Sequence, residues 1–390
     1  METKALEDYT LEVRRIVYIS LFRLRSVTQF TNDCKNCAAD RNVKQEAEIT
    51  RGLKKMVAED LQSPVVESVI EKDSEVETSG TRELPEKKID SVTLIYVPLH
   101  LGGPHRGTSM GPDAVRVQEL AERITKFGFK VHEEKEINIP RSVCFWDENT
   151  GAKCVPEITE VSRLVAEAVE EAMHKGTIPI TIGGDHSLAI GSIAGASNYY
   201  RKIEEEFGLV WFDAHGDINT PDTSASGNVH GMPLAVSLGH GDERLTELLG
   251  FSPKVKPHRS VLVGIRDIDL PERDIINQSG ITPFTIRDID HLGLGRITDL
   301  ALGSLGRDIS GIHLSFDLDV IDPDTAPGVS TAAKGGLNYR ESHLALTHLA
   351  ESGLLRSIDI VELNPAFDIR NQTAELAVEL VLSCLGKRIL

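Results

Sequence analysis

Residues 208–220 read GLVWFDAHGDINT, a short apolar run that passes abruptly into Asp213, His215 and Asp217 at every second position. The run has strand length and is apolar on successive residues, the pattern of a strand covered on both faces. Similar runs follow from residue 91 onward: SVTLIYV (91–97), IPITIGG (178–184), SVLVGIR (260–266), GIHLSFDLD (311–319) and SIDIVEL (357–363). Between them lie segments such as EITEVSRLVAEAVEEAMHKG (157–176), whose apolar residues carry the 3.6-residue period of a helix. Strands buried on both faces and alternating with helices predict an α/β fold, a single three-layer domain with a central parallel sheet flanked by helices. In such sheets the ligand crevice lies beyond the carboxyl ends of the strands.

The 390-residue chain is 40% hydrophobic and 26% charged, an ordinary globular composition. Its formal net charge of -18 repels phosphate backbones and attracts cationic small molecules, so no nucleic-acid partner is expected. No apolar segment approaches the roughly 18 residues of a membrane-spanning helix, and no membrane span is expected either. Cys34, Cys37, Cys144, Cys154 and Cys384 are odd in number and scattered, unlike a disulfide framework, which fits a reducing, cytoplasmic setting. The Cys34–Cys37 pair has no second ligand pair for a zinc site and reads as two free thiols.

Residues 1–90 differ from the rest and are expected to form an N-terminal extension, partly helical or disordered, ahead of a catalytic domain over 91–390. They are charge-mixed and glycine-poor and close on EKDSEVETSGTRELPEKK (71–88), which reads as a linker. Within them LEVRRIVYISLFRLRSVTQF (11–30) interleaves Arg14, Arg15, Arg23 and Arg25 with apolar residues, as a packing helix or an organelle-targeting segment would. Glu2, Glu7, Asp8 and Glu12 argue against the transit peptide.

Polar clusters end the apolar runs. GGDHS (183–187) supplies His186, and DAHGD (213–217) supplies Asp213, His215 and Asp217. SFDLD (315–319) supplies Asp317 and Asp319, and SIDIV runs into Glu362. Spacing of two keeps side chains on one face of an extended chain, so these acids are expected to converge. So many carboxylates around one crevice are unstable without cations. Two imidazoles, four close acids and no thiolate suit an oxygen-preferring ion such as Mn²⁺, and six ligands suit two ions about 3.5–4 Å apart better than one. GGDHS lacks the lysine of a phosphate-binding loop, and DLDVIDPDTAPG (317–328) has Asp322 and Gly328 where a calcium loop needs Gly and Glu.

These motifs resemble those of the ureohydrolases, and among them the arginases. The resemblance runs from about Ser91 to the C-terminus and adds SGNVHGMP (226–233), DIVELNP (359–365) and NQTAELAVEL (371–380) to the clusters above. It implies a binuclear Mn²⁺ centre that hydrolyses L-arginine to L-ornithine and urea through a metal-bridging hydroxide, in a homotrimer or homohexamer. It implies that His186, Asp213, His215, Asp217, Asp317 and Asp319 are the metal ligands, with Asp213 and Asp317 as bridges. By the same resemblance Asp217 orients the attacking hydroxide, Glu362 pairs with the substrate guanidinium and His230 shuttles the proton to the leaving amine.

Asn219, Ser226 and Asn228 match the arginase contacts to the substrate α-carboxylate, a group agmatine lacks. Asp269 matches the acid facing the α-ammonium, assisted by Glu272, and Thr331 matches a residue lining the guanidinium slot. Alternatives are hydrolysis of agmatine or another guanidino compound, a silent ureohydrolase-like binding protein and, more remotely, a single-zinc deacetylase. Departures from the family pattern are Ser330 and Ala332 around Thr331, where Gly and Pro are usual, and Val320, where Gly is usual. Lys334, where apolar residues are usual, has no functional reading.

Overall fold

The computed structural model describes residues 89–140, 146–147 and 151–387, all within the compact unit Lys87–Leu390. The Cys34–Cys37 pair and the arginine-bearing segment 11–30 lie outside the described residues. Eight strands form the main sheet: β1 Ser91–Val97, β2 Lys130–Glu136, β3 Ile178–Gly183, β4 Glu206–Phe212, β5 Ser260–Ile265, β6 Thr282–Thr285, β7 Ile309–Asp317 and β8 Leu355–Val361. Their order is β2-β1-β3-β8-β7-β4-β5-β6, and every pairing is parallel.

Successive residues of each inner strand feed opposite layers, as the strand period requires. Val210 and Phe212 join Leu314, Phe316, Ile358 and Ile360 against Ile297, Leu346, Val378 and Val381 of the helices Leu294–Ser304, Tyr339–Glu351 and Gln372–Cys384. Leu209 and Trp211 point the other way, to Ile193, Leu234 and Ile276 of Ala189–Lys202, Pro233–Ser237 and Leu270–Ser279. The helix Val155–His174 covers Ile95 and Val97 on that same side through Ile158, Val161 and Val165. The result is the expected three-layer arrangement. Among the described residues, no helix is long and apolar enough to cross a membrane.

The two edges were not visible as apolar runs. β2, KVHEEKE, alternates exposed and half-buried residues, and β6 is a four-residue TPFT. An edge strand loses one neighbour and part of its cover, so its sequence need not be apolar, and charge and proline discourage pairing with another chain.

The chain path explains where the site forms. After β3 the chain passes to β4 and leaves a gap that β8 and β7 fill on the way back, so β3, β8, β7 and β4 are consecutive neighbours. Their parallel directions bring the polar clusters after β3, β4, β7 and β8 to one end of the sheet centre, where the strand order reverses.

Two expectations need correction. The acids spaced by two do not converge on an extended chain: β4 ends at Phe212, Asp217 has φ 48°, and Leu318–Val320 forms a 3-10 turn capped by the Asp317 side chain. Bends bring the carboxylates closer than a strand's rise would. Cys154 is disulfide-bonded, although the odd, scattered cysteines are unlike a disulfide framework, whereas Cys384 is free and buried.

Val320 is fully buried against Gly264 of β5, which has φ 96°. A β-carbon built on Gly264 would lie 2.4 Å from Val320 Cγ2, so this backbone accommodates the extra side chain by having none itself. Gly264→Ala is expected to cost about 2–4 kcal/mol in urea unfolding. Adding Val320→Ala should recover part of that loss. Additive losses in the double variant would contradict the close packing.

Candidate metal centre and active site

His186 and Asp213 lie under the crevice, both fully buried. The ring nitrogen His186 Nδ1 faces Asp213 Oδ2 at 3.2 Å, Asp217 Oδ2 at 3.1 Å and Asp317 Oδ2 at 3.0 Å. One ring N–H cannot satisfy three carboxylates, so this is the geometry of ligands gathered around a cation. On the other side of Asp213, His215 Nδ1 lies 3.3 Å from Asp213 Oδ1 and 3.1 Å from Asp319 Oδ2. Two potential cation cages result among the described residues, His186-Asp213-Asp317 and Asp213-His215-Asp319, and Asp213 belongs to both. The donor set, imidazole and carboxylate without thiolate, fits a pair of divalent ions.

Local structure aims these groups. Trp211 stacks on the His186 ring with centroids 4.1 Å apart and donates Nε1–H to Asp213 Oδ2 at 3.0 Å. His186 Nε2 meets Ser315 Oγ at 2.9 Å on the far side of the ring, leaving Nδ1 for the acids. Asp317 Oδ1 accepts from Asp319 N at 2.8 Å, and Asp213 Oδ1 accepts from His215 N at 2.7 Å.

Beside this cluster, Glu362 Oε1 accepts from His186 N at 2.9 Å and meets His230 Nδ1 at 3.1 Å. Its other oxygen, Oε2, is buried without a partner. Glu362 and Asp217 both sit in the left-handed region, at φ 63° and 48°, strain of the kind that clusters at working sites.

The sequence model of the arginase family matches residues 90–386. The chain belongs to the arginase family. The arginase of Bacillus caldovelox is 41% identical over 300 residues, spanning 77% of this chain and 99% of that protein. The crystal structure of Bacillus subtilis arginase matches with a TM-score of 0.72 at 42% identity over 77% of this chain and 100% of that one. Entamoeba histolytica arginase in complex with L-ornithine matches with a TM-score of 0.70 at 30% identity and the same coverage, 77% and 100%.

Around the arginase-type crevice, the loop residues singled out in the sequence occupy one rim. Asn219 donates Nδ2–H to Asp269 Oδ2 at 3.0 Å and accepts from Thr223 Oγ1 at 2.7 Å. Ser226 Oγ accepts from Asn228 N at 3.2 Å. Asp269 caps the helix Leu270–Ser279 in a reciprocal box with Glu272, and Glu272 Oε1 accepts from Ile218 N at 3.4 Å beneath the loop. Thr331 stands apart: its hydroxyl donates to Asp319 Oδ2 at 2.9 Å. The replaced neighbour Ser330 accepts from Asn364 Nδ2 at 3.1 Å, while Ala332 and Lys334 are exposed.

Two anchors, the half-buried Arg266 and the fully buried Asp185, escaped the sequence reading. Arg266 donates to five backbone carbonyls, Asp319 O and Ala333 O at 2.7 Å, Val320 O at 3.0 Å, Lys334 O at 3.2 Å and Gly264 O at 3.4 Å, and so ties the loop that carries Asp319 and Thr331 to the end of β5. Asp185 accepts from Gly102 N at 2.9 Å, and Gly102 O in turn accepts from His230 N at 3.1 Å. The signals were present, an arginine directly after β5 and the acid inside GGDHS, but their partners are remote in sequence.

Burial and like charge dominate the electrostatics. Burial, then the charges of Asp319 and Asp213, push Asp317 well above the carboxylate range. Burial and the Asp213 charge raise Asp217 to about 6. Burial also raises Asp213, but hydrogen bonds with His186 and His215 outweigh it and hold that carboxyl low. Burial opposes the charged His230 ring, yet the Glu362 hydrogen bond and charge raise its pKa to about 9.

A raised histidine pKa stabilises the fold fully below its ordinary value of about 6.5, and this stabilisation is lost as pH rises through about 9. NMR titration of the metal-free protein should find His230 charged at neutral pH, and Glu362→Gln should move its pKa down toward the ordinary value. An unchanged titration in that variant would contradict the pairing.

Proposed function

We propose that this hydrolase converts L-arginine to L-ornithine and urea, with His186, Asp213, His215, Asp217, Asp317 and Asp319 holding two Mn²⁺ ions. The observation that carries the reading is the gathering of three carboxylate oxygens on His186 Nδ1 beside a Glu362 whose Oε2 is buried and unpartnered. An orphan buried carboxylate oxygen calls for a charged donor, and a guanidinium supplies one with matching planar geometry. Family membership supports a binuclear centre, and oxygen-rich ligands favour Mn²⁺ over a thiolate-seeking ion. Paired divalent ions, when bound, lower the pKa of water enough to supply a hydroxide-strength nucleophile near neutral pH.

The chain's own residues do the rest. Glu362 Oε2 accepts a guanidinium N–H and fixes the carbon in line with the attacking water. Asp217 takes up the proton left on the attacking oxygen, so that the C=O of neutral urea can form. As the C–O bond forms, the bond from carbon to the substrate's side-chain nitrogen breaks, and His230 Nε2 delivers a proton to that leaving amine. Its Nδ1 remains on Glu362. Asn219, Ser226 and Asn228 donate to the α-carboxylate, Asp269 accepts from the α-ammonium, and Glu272 supports Asp269 from below. Thr331 acts through Asp319.

Homotrimeric or homohexameric assembly, and an extension over residues 1–90, belong to the same proposal and rest on the family resemblance and the change in composition near Asp90. Urea release from Mn²⁺-loaded protein should favour arginine over agmatine by at least about a hundredfold in kcat/KM, because polar groups built for a carboxylate are left unpaired without one. Glu362→Gln should lower kcat/KM for arginine at least about a hundredfold. Faster turnover of agmatine would overturn the substrate assignment.

A further inference from the structure

We infer that Lys153 is a positioning residue for the substrate α-carboxylate, acting through Asn228. This inference rests on the arginine reading of the site.

A short antiparallel pair, Trp146–Asp147 with Ala152–Lys153, lies before the helix Val155–His174 and meets the rim loop 219–228 at several points. Lys153 N donates to Gly227 O at 2.9 Å. Gly151, at φ 66°, packs so closely that a β-carbon on it would lie 2.8 Å from Pro221 O. Lys153 Nζ then donates to Asn228 Oδ1 at 2.8 Å, in a half-buried position. Cys154, which follows the strand and caps the helix Val155–His174, is buried and disulfide-bonded, so the lysine is adjacent to an anchored backbone.

The chemical consequence follows from the amide. An asparagine side chain has one accepting and one donating end, and rotation by half a turn exchanges them. An ammonium group can only donate, so its bond to Oδ1 fixes which end is which. Both Nδ2 hydrogens are then presented away from Lys153, as donors for an anionic ligand. Ser226 and Ser224 hold the other side of the loop: Ser226 Oγ accepts from Asn228 N at 3.2 Å, and Ser224 Oγ accepts from Gly227 N at 3.0 Å. Without the lysine, the same amide would be free to turn its oxygen toward a carboxylate, where two acceptors repel. The lysine therefore favours ligands that end in a carboxylate and is indifferent to those that lack one.

The test separates this role from general stability and from the activity assignment. Arginine turnover and competitive inhibition by agmatine are measured on full-length Mn²⁺-loaded wild type, Lys153→Met and Lys153→Arg. Wild type reads the activity assignment first: if it turns over agmatine faster than arginine, that assignment fails, and this inference with it. With wild type an arginase, Lys153→Met is expected to raise KM for arginine about tenfold while kcat and the agmatine inhibition constant stay within about twofold. Lys153→Arg, which keeps a donor-only cation, should restore most of the affinity. If KM for arginine is unchanged, or if it rises together with the agmatine constant, the positioning role is overturned.

Discussion

Asp213 stands between two imidazoles, 3.2 Å from His186 Nδ1 through one oxygen and 3.3 Å from His215 Nδ1 through the other. It is fully buried, follows directly on the central strand β4, and has Asp217, Asp317 and Asp319 gathered around the same histidines. Four buried carboxylates in one crevice oppose each other unless positive charge is shared among them. Much of the surrounding structure serves to hold that unfavourable crowd in place. Trp211 and Ser315 fix the His186 ring, Arg266 clamps the Asp319 loop from five backbone carbonyls including Gly264 O, and Asp217 is kept in a left-handed conformation.

The same crowding divides labour among the acids. Burial and neighbouring charge push Asp317 and Asp319 upward, while the two histidines hold the Asp213 carboxyl down. Glu272, buried below the loop and facing the Asp217 charge, is raised to about 7. Glu362 takes the opposite course because His230 and the His186 N–H compensate its burial. One carboxylate therefore stands beside the two His/Asp clusters with its pKa lowered and an oxygen to spare, which suits recognition of a delocalised cation.

The sequence revealed the inner strands because burial on both faces demands apolar runs, and it revealed the clustered acids and histidines because they sit directly at the ends of those runs. It concealed β2 and β6, whose edge positions relax that demand. The spacing argument expected these acids to converge on an extended chain, whereas turns at Asp217 and Leu318–Val320 bring them together. Residues that bind backbone, such as Arg266 and Asp185, leave no periodic trace, because their partners are set by tertiary contact. Lys153 is similar: its partner Asn228 lies 75 positions away. The replaced residues show the converse: Val320 is compensated by Gly264, and Ser330 by Asn364.

The central claim is that Asp213 is shared by two cations. The direct measurement is elemental analysis of Mn²⁺-equilibrated, gel-filtered protein together with its Asp213→Asn variant, both shown to be folded by circular dichroism. The account predicts about two ions per wild-type chain and weakened retention at both positions in the variant, whereas His215→Asn should weaken only one. Wild-type protein that binds a single ion, or an Asp213→Asn variant that keeps both at unchanged affinity, would contradict it.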